Sequence, residues 1–452
     1  MENQVNFDEV VTKNPKTIAV IGTGYVGLPS SAVFNKWGNK VYAVDVDKKK
    51  IDDLNNGIMP IYEEHVEDFI KEGLQKGTFK ATLDYKEAVE DSDIIIIAVG
   101  TPGTAIGTAD MRYIDASARS IGENIPEGTH KIIVTKSTVP VGTSERVKKA
   151  VLEGANGRNI SFSVASNPEF LREGFAVIDS YITDRVVIGV EDEKTGKVLS
   201  SLFEHIDTEI FLTDIKSSEL IKYASNTFLA TKITFVNELA SLCQRVGADV
   251  KNVARGMGLD QRIGTRFLNP TEIGFGGPCF PKDVDALYHM SLGANYDFQI
   301  LASVISVNEK LQRVFVNKIA RKFGSNLTGK TLGILGTAFK DNTDDARHSP
   351  AVEVIRILRG MGAELKIYDP LAIETARQQL GENNILYASS HKEVFSGVDA
   401  VVILTEWKEF LDYDYKGLSE NMNSKVIFDA RYMLTPSKMK EYGIEYYSSG
   451  RQ

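Results

Sequence analysis

Cysteine is nearly missing from this chain. Its 452 residues include two, Cys243 and Cys279, with no CxxC pair or His/Cys cluster beside them. A disulfide framework is excluded, and no metal site is expected. Long apolar runs are missing as well. Ile94 to Val99 is among the longest, far short of the roughly 20 residues that a membrane-spanning helix needs. Basic charge is in deficit, with a formal net charge of -9 and a pI near 5.4. Non-specific binding to nucleic acid or to an anionic membrane relies on a basic field and is not expected. An anionic ligand would need locally placed cations. The stretch Met1 to Lys16 is polar and acidic with no apolar secretory core, so the expectation is a cytoplasmic protein.

What the chain does have is 42% apolar and 25% charged residues, the profile of a globular protein too long for one ordinary core. From Lys16 short β-branched runs alternate with longer amphipathic stretches, which predicts a parallel sheet wrapped by helices. Strands are expected at Thr17 to Ile21, Lys40 to Val44, Ile94 to Val99, Lys131 to Thr135, Ser161 to Ala165 and Arg185 to Val190. Ser217 to Val246 holds no Gly or Pro and suits one long helix. Two more helical stretches flank the loop from Arg262 to Pro281. Alternation resumes at Thr331 to Leu335, Glu364 to Tyr368, Ala400 to Leu404 and Lys425 to Phe428. The fold class is therefore α/β, two Rossmann-like parallel-sheet domains joined by a central all-helical domain, with divisions at 1–213, 214–323 and 324–452.

The first strand runs into Gly22-Thr23-Gly24-Tyr25-Val26-Gly27, and a helical pattern follows from Leu28 to Trp37. This is GxGxxG in the context it requires. The glycines allow a tight turn and close approach of a pyrophosphate to a helix N-terminus. The second strand ends at Asp45, where a carboxylate accepts ribose hydroxyls and repels a 2'-phosphate, so NAD is favoured over NADP. Lys48 to Lys50 either weaken that preference or simply start a solvated helix.

Three strands of the first domain end in polar segments: Gly100-Thr101-Pro102, Lys136-Ser137-Thr138 and Asn167-Pro168-Glu169. Ligands bind outside the carboxyl ends of strands in open parallel sheets, so these segments should line a cleft. In Gly274-Phe275-Gly276-Gly277-Pro278-Cys279-Phe280-Pro281-Lys282-Asp283, Pro281 suits a first helical turn. Cys279 then stands at a helix N-terminus, where the dipole and Lys282 or Lys222 favour a thiolate. Asp283 follows one turn later. Cys243 sits among Leu239, Ala240 and Leu242 and reads as a buried inert thiol. Lys222 and Asn226, spaced i, i+4, project from one helix face; they suit an oxyanion, although composition alone reads Lys222 as a surface lysine.

The glycine turn, Asn167-Pro168-Glu169-Phe170-Leu171-Arg172-Glu173-Gly174, Lys222-Tyr223-Ala224-Ser225-Asn226 and the segment around Cys279 occur here in one order. With them the chain resembles the UDP-glucose/GDP-mannose dehydrogenase family from about Lys16 to Arg431. The resemblance implies NAD-dependent four-electron oxidation of a nucleotide sugar, with UDP-glucose to UDP-glucuronate favoured and GDP-mannose or a UDP-N-acetylhexosamine as alternatives. It implies Cys279 as nucleophile, Lys222 and Asn226 as oxyanion donors, Asp283 as a water-organising or acid/base carboxylate, and Thr138 near the reacting carbon. Glu169 and Glu173 resemble the family's active-site carboxylates. Cofactor contacts are implied at Gly22, Gly24, Tyr25, Val26, Gly27, Asp45, Lys50, Thr101, Pro102, Thr138, Glu173, Lys282 and Arg347. Substrate contacts are implied at Phe170, Leu171, Lys222, Asn226, Phe275, Gly276, Cys279, Phe339 and Lys340. Arg262 resembles an arginine that reaches the nucleotide sugar of a partner subunit, within a homodimer or higher homo-oligomer. Pro278 departs from the family, which usually has Ser before the cysteine. A two-electron β-hydroxyacid dehydrogenase would need neither Cys279 nor the second α/β domain, and a non-catalytic sensor would not need the full set of reactive side chains.

Overall fold

The computed structural model describes residues 6–8, 11–104 and 106–451; the polar stretch Met1 to Lys16 lies partly outside them. The chain divides into two units, Met1–Ser225 and Asn226–Gln452.

In the first unit eight strands form one sheet: β1 (Thr17–Ile21), β2 (Lys40–Val44), β3 (Phe79–Thr82), β4 (Ile94–Ile97), β5 (His130–Thr135), β6 (Ser161–Ser166), β7 (Arg185–Val190) and β8 (Glu209–Thr213). Their order is β3-β2-β1-β4-β5-β6-β7-β8. The first six in that order are parallel, β1 pairing Ile18 with both Val41 and Ile94. The four isoleucines of β4 show why the pattern is a continuous run rather than an alternation, since both faces of this sheet are covered. Ile94 and Ile96 pack with Leu28 and Ala32 of the helix Gly27–Lys36. Ile95 and Ile97 pack on the other side with Ile114, Ala118 and Ile121 of the helix Arg112–Asn124.

Two features differ from the sequence expectation. β3 and β8 are additional strands, and β7 runs antiparallel to β6 while pairing in parallel with β8. The sheet is thus parallel through β6 and turns back at its last pair. The observed boundaries shift by a residue or two at β4, β5 and β6, as they commonly do at element ends.

The long helix spans Ile215–Val246, starting two residues earlier than expected. The helices Val250–Gly258, Phe280–Gly293 and Gln299–Phe323 follow it, and no strand is found between β8 and the next sheet among the described residues. That second sheet holds β9 (Thr331–Leu335), β10 (Glu364–Tyr368), β11 (Ile385–Tyr387), β12 (Ala400–Ile403), β13 (Val426–Asp429) and β14 (Glu445–Tyr447) in the order β11-β10-β9-β12-β13-β14. All five pairings are parallel. Leu332, Ile334 and Ile403 share one core with Ile355 and Leu358 of the helix Pro350–Gly360 and with Phe315 of Gln299–Phe323. No helix among the described residues is long and apolar enough to cross a membrane.

The first βα turn is closed by backbone contact. Gly22 has φ +102° and donates its amide to Val44 O at 2.7 Å. A Cβ on Gly27 would stand 1.9 Å from the carbonyl oxygen of Gly22, so any side chain there forces the turn and helix apart. Gly27→Ala is expected to cost about 1–3 kcal/mol, read as a lower thermal unfolding midpoint. An unchanged midpoint would mean that the turn yields freely.

Candidate active site

The glycine turn has the shape of a phosphate cradle. A Cβ on Gly24 would meet nothing within 4 Å, so a ligand can approach the backbone where a side chain would otherwise stand. At the end of β2, Asp45 Oδ2 accepts from the Thr23 amide at 3.0 Å and the Thr23 hydroxyl at 2.7 Å, and Oδ1 from the Asp47 amide at 3.0 Å. Burial pushes the Asp45 carboxyl up, but Thr23, Asp47 and the Lys50 ammonium at 3.9 Å outweigh it and hold it below the ordinary range. An ionised carboxylate therefore stands at the end of β2, and these residues fit a dinucleotide with a free 2'-hydroxyl.

The polar strand ends meet as the parallel register requires. Thr101 donates its hydroxyl to Thr138 O at 2.7 Å, and Ser137 donates to Val99 O at 2.6 Å. Beyond β6, Glu169 and Lys222 form a buried ion pair at 2.9 Å. Glu169 Oε2 accepts the Leu171 amide at 2.7 Å. Burial pushes the Glu169 carboxyl up, yet the Lys222 ammonium, the Leu171 amide and Lys136 together hold it low. Phe170 lies under two cations, Arg185 at 4.0 Å and Lys222 at 5.3 Å from its ring centre. The turn containing Glu173 is anchored by buried Glu63, which accepts the Gly174 and Ala176 amides at 2.8 Å each.

The second unit holds the thiol. Cys279 is half-buried at the N-cap of Phe280–Gly293, with Pro281 in the first turn, and its carbonyl accepts the Asp283 amide at 3.0 Å. Asp283 is buried; Oδ2 accepts Asn226 Nδ2 at 2.6 Å and Oδ1 pairs with Lys282 Nζ at 2.5 Å. The preceding loop is clamped by the helix Gln299–Phe323. Asn308 accepts the Phe275 amide at 2.9 Å and donates to the Phe275 carbonyl at 3.0 Å, while Gln312 donates to Ile273 O at 2.5 Å. Gly277, at φ +81°, donates its amide to His348 O at 3.0 Å, and a Cβ there would strike the Phe339 ring. No cluster of metal-binding side chains occurs among the described residues.

Three successive domain models of one family cover this chain. The NAD-binding domain of the UDP-glucose/GDP-mannose dehydrogenase family matches residues 16–207, its central domain 216–310 and its UDP-binding domain 333–436. The chain belongs to the UDP-glucose/GDP-mannose dehydrogenase family. It is 44% identical over 436 residues to the UDP-glucose 6-dehydrogenase TuaD of Bacillus subtilis, covering 96% of this chain and 93% of that one. It is similar to a UDP-glucose dehydrogenase structure from Pyrobaculum islandicum, with a TM-score of 0.90 and 38% identity over 97% and 98% of the two chains. A UDP-D-ManNAc dehydrogenase structure from Pyrococcus horikoshii aligns with a TM-score of 0.84 and 27% identity over 96% and 99%.

This dehydrogenase takes NAD as its cofactor through the domain that carries the glycine turn. Lys222 and Asn226 stand one turn apart on the long helix, each with its own carboxylate: Glu169 for Lys222 and Asp283 for Asn226. Lys282, expected beside the thiol, has its ammonium on Asp283. Arg347 makes a two-pronged contact with buried Asp345, and Arg262 is highly exposed with its guanidinium on Asp260.

Several residues that build this environment carried no local signal in the sequence. Glu63, Arg185, Asn308 and Arg431 act through partners far away in the chain. Arg431 donates to Leu404 O at 2.7 Å and to Phe339 O at 3.1 Å, fixing the loop that contains Lys340. Lys136 lies in a polar segment that by itself does not single the lysine out.

The ion pair gives a pH prediction with a definite sign. Because the folded-state pKa of Glu169 is lowered, its stabilisation is present above the ordinary carboxylate pKa and lost as pH falls through the folded value. Glu169→Gln is expected to lower stability near neutral pH by about 3–5 kcal/mol, as for a buried pair broken on one side. The deficit should shrink toward acid in pH-dependent unfolding; a pH-independent deficit would contradict this origin.

Proposed function

We propose that this dehydrogenase catalyses the NAD-dependent four-electron oxidation of UDP-glucose to UDP-glucuronate, with Cys279 as the covalent nucleophile. The observation that carries the reading is the seat of Cys279, at the positive end of the helix Phe280–Gly293 with buried Asp283 one turn on. That position favours the thiolate. UDP-glucose is preferred because the relatives at 44% and 38% identity are named for it, whereas the UDP-D-ManNAc dehydrogenase is 27% identical.

NAD held at the glycine turn would supply the hydride acceptor for the first oxidation, and a second NAD, taking its place after NADH leaves, the acceptor for the second. Asp45 receives the adenosine ribose hydroxyls, and Tyr25, Val26, Lys50, Thr101, Pro102, Glu173, Lys282 and Arg347 complete the cofactor contacts. Thr138 stands at the reacting carbon. Lys222 and Asn226 donate to the oxygen that gains charge as the alcohol loses its proton, and again when sulfur adds to the aldehyde carbon. The thiohemiacetal at Cys279 gives a thioester after the second oxidation. Water held by Asp283 and the Glu169 or Glu173 carboxylate adds to that carbon, the C–S bond breaks, and the thiol and carboxylate are released. Phe170, Leu171, Phe275, Gly276, Phe339 and Lys340 hold the nucleotide sugar. We assign 1–213 to the cofactor, 214–323 to catalysis and dimerisation, and 324–452 to the nucleotide, in a protein working in the cytoplasm.

The exposed face of the long helix supports a homodimer formed through it. Phe228, Phe235 and Leu242 are 65%, 54% and 51% exposed and recur every seventh residue, the spacing of a helix seam. Arg262 would then reach the nucleotide sugar of a second copy. Phe228→Glu with Phe235→Glu should shift the molar mass by light scattering from dimer to monomer; a monomeric wild type would refute the assignment.

With NAD and UDP-glucose, two NADH per sugar and UDP-glucuronate are the expected products. One NADH per sugar would refute the four-electron course, and turnover with GDP-mannose or a UDP-N-acetylhexosamine alone would reassign the substrate. Cys279→Ser should lower turnover by about a thousandfold or more, as for other covalent nucleophiles, with NAD affinity unchanged by calorimetry.

A further inference from the structure

Burying a lysine ammonium is costly unless oxygen ligands answer it. The first unit buries two around one carboxylate: Lys136 and Lys222 about Glu169, all less than 9% exposed. Lys222 takes the direct ion pair with Glu169 Oε1, and Oε2 is held by the Leu171 amide. Lys136, just past β5, donates instead to Asn167 Oδ1 at 3.2 Å. That amide is fixed in place: Asn167 Nδ2 donates to Val187 O at 2.8 Å and its backbone amide to Thr135 O at 3.0 Å. Flipping it would sacrifice the bond to Val187 and turn an NH₂ group toward an ammonium.

Lys222 and Glu169 by themselves are a neutral pair, which has little field to offer an anion. A second ammonium beside the same carboxylate leaves the cluster positive. We propose that Lys136 is a positioning residue that sets the charge presented by Lys222: by sharing the field of Glu169 it leaves Lys222 a net donor of positive charge to the oxyanion. The proposal rests on the role given to Lys222 under Proposed function.

The other charged groups around Lys136 do not replace it. Arg185 and Asp179 line the same cavity of about 50 Å³, but Arg185 stacks on Phe170 and Asp179 is engaged by Arg172. The cavity has room for a few waters, a route by which Lys136 can exchange a proton. Burial, assisted by Lys222 and opposed by Glu169, pulls the Lys136 ammonium down to about 8. Above that pH the cluster becomes neutral, and the form with Lys136 deprotonated is the slower one.

The test compares full-length wild type, Lys136→Met and Lys136→Arg with NAD and UDP-glucose across about pH 6 to 10. Lys136→Met should lose about tenfold or more in kcat, with KM for both substrates within about threefold, and lack the ionisation near pH 8. Lys136→Arg keeps its charge throughout this range, so it should recover most of the rate and also lack that ionisation. A Lys136→Met enzyme with wild-type kcat, or one retaining the same alkaline ionisation, overturns the proposal. Should Lys136→Met not fold, Lys136→Arg decides by the same ionisation: its loss supports the proposal and its retention overturns it. A wild type that turns over no nucleotide sugar would instead overturn the reading of Lys222. The charge coupling is then judged from unfolding midpoints of Lys136→Met, Glu169→Gln and the double variant. Non-additive midpoints support it, and additive midpoints overturn it.

Discussion

Covering both faces of each sheet leaves this chain few places for polar chemistry. The isoleucines of β4 are buried on alternate sides against different helices, so a functional group along the strand would be sealed in apolar packing. The strand ends escape this constraint. Thr101, Thr138 and Glu169 lie three or four residues beyond the ends of β4, β5 and β6, whose C-terminal ends the register brings side by side. This part of the candidate site thus starts from where the buried sheet ends, with the connections after the strands carrying the polar groups.

This also explains what could be read in the sequence. Central strands with apolar residues on both faces stand out as runs, so β1, β2, β5 and β9 were legible close to their observed limits. β3, β8, β11 and β14 were not. β11 and β14 are three residues long, β8 has most of its side chains solvent-accessible, and all four occupy a sheet edge. An edge strand needs fewer apolar residues because one flank and much of a face stay wet. The reversal of β7 had no local signature, since pairing direction is a property of the connection and not of the strand.

The site residues divide in the same way. Residues whose role is local, such as Gly22, Gly27 and Cys279, sit in motifs whose spacing carries the geometry. The partners of Lys222 and Asn226 do not. Glu169 and Asp283 lie 53 and 57 positions away along the chain, and nothing in the periodicity of the long helix distinguishes a lysine bound to a buried carboxylate from a solvated one. Lys222 looked like a surface residue on composition and is almost fully buried. The helix departs from the usual amphipathic pattern: Phe228, Phe235 and Leu242 are exposed while Lys222 and Asn226 are buried, so apolar periodicity along it does not report which side chains are covered.

The two units repeat one turn with different outcomes. Gly336, at φ +94°, donates its amide to Tyr368 O at 2.8 Å just as Gly22 does to Val44, and Asp369 stands after β10 where Asp45 stands after β2. Asp369 is buried and its oxygens already accept from the amides of Thr337, Ala338, Leu371 and Ala372 and from the Trp407 indole. Five donors exceed the roughly four lone-pair positions of a carboxylate, leaving no capacity for ribose hydroxyls. Asp45 accepts three and keeps part of its surface. The shared backbone hence does not imply a shared ligand. In the second unit the carboxylate is a structural knot, and ribose hydroxyls there would need acceptors other than Asp369.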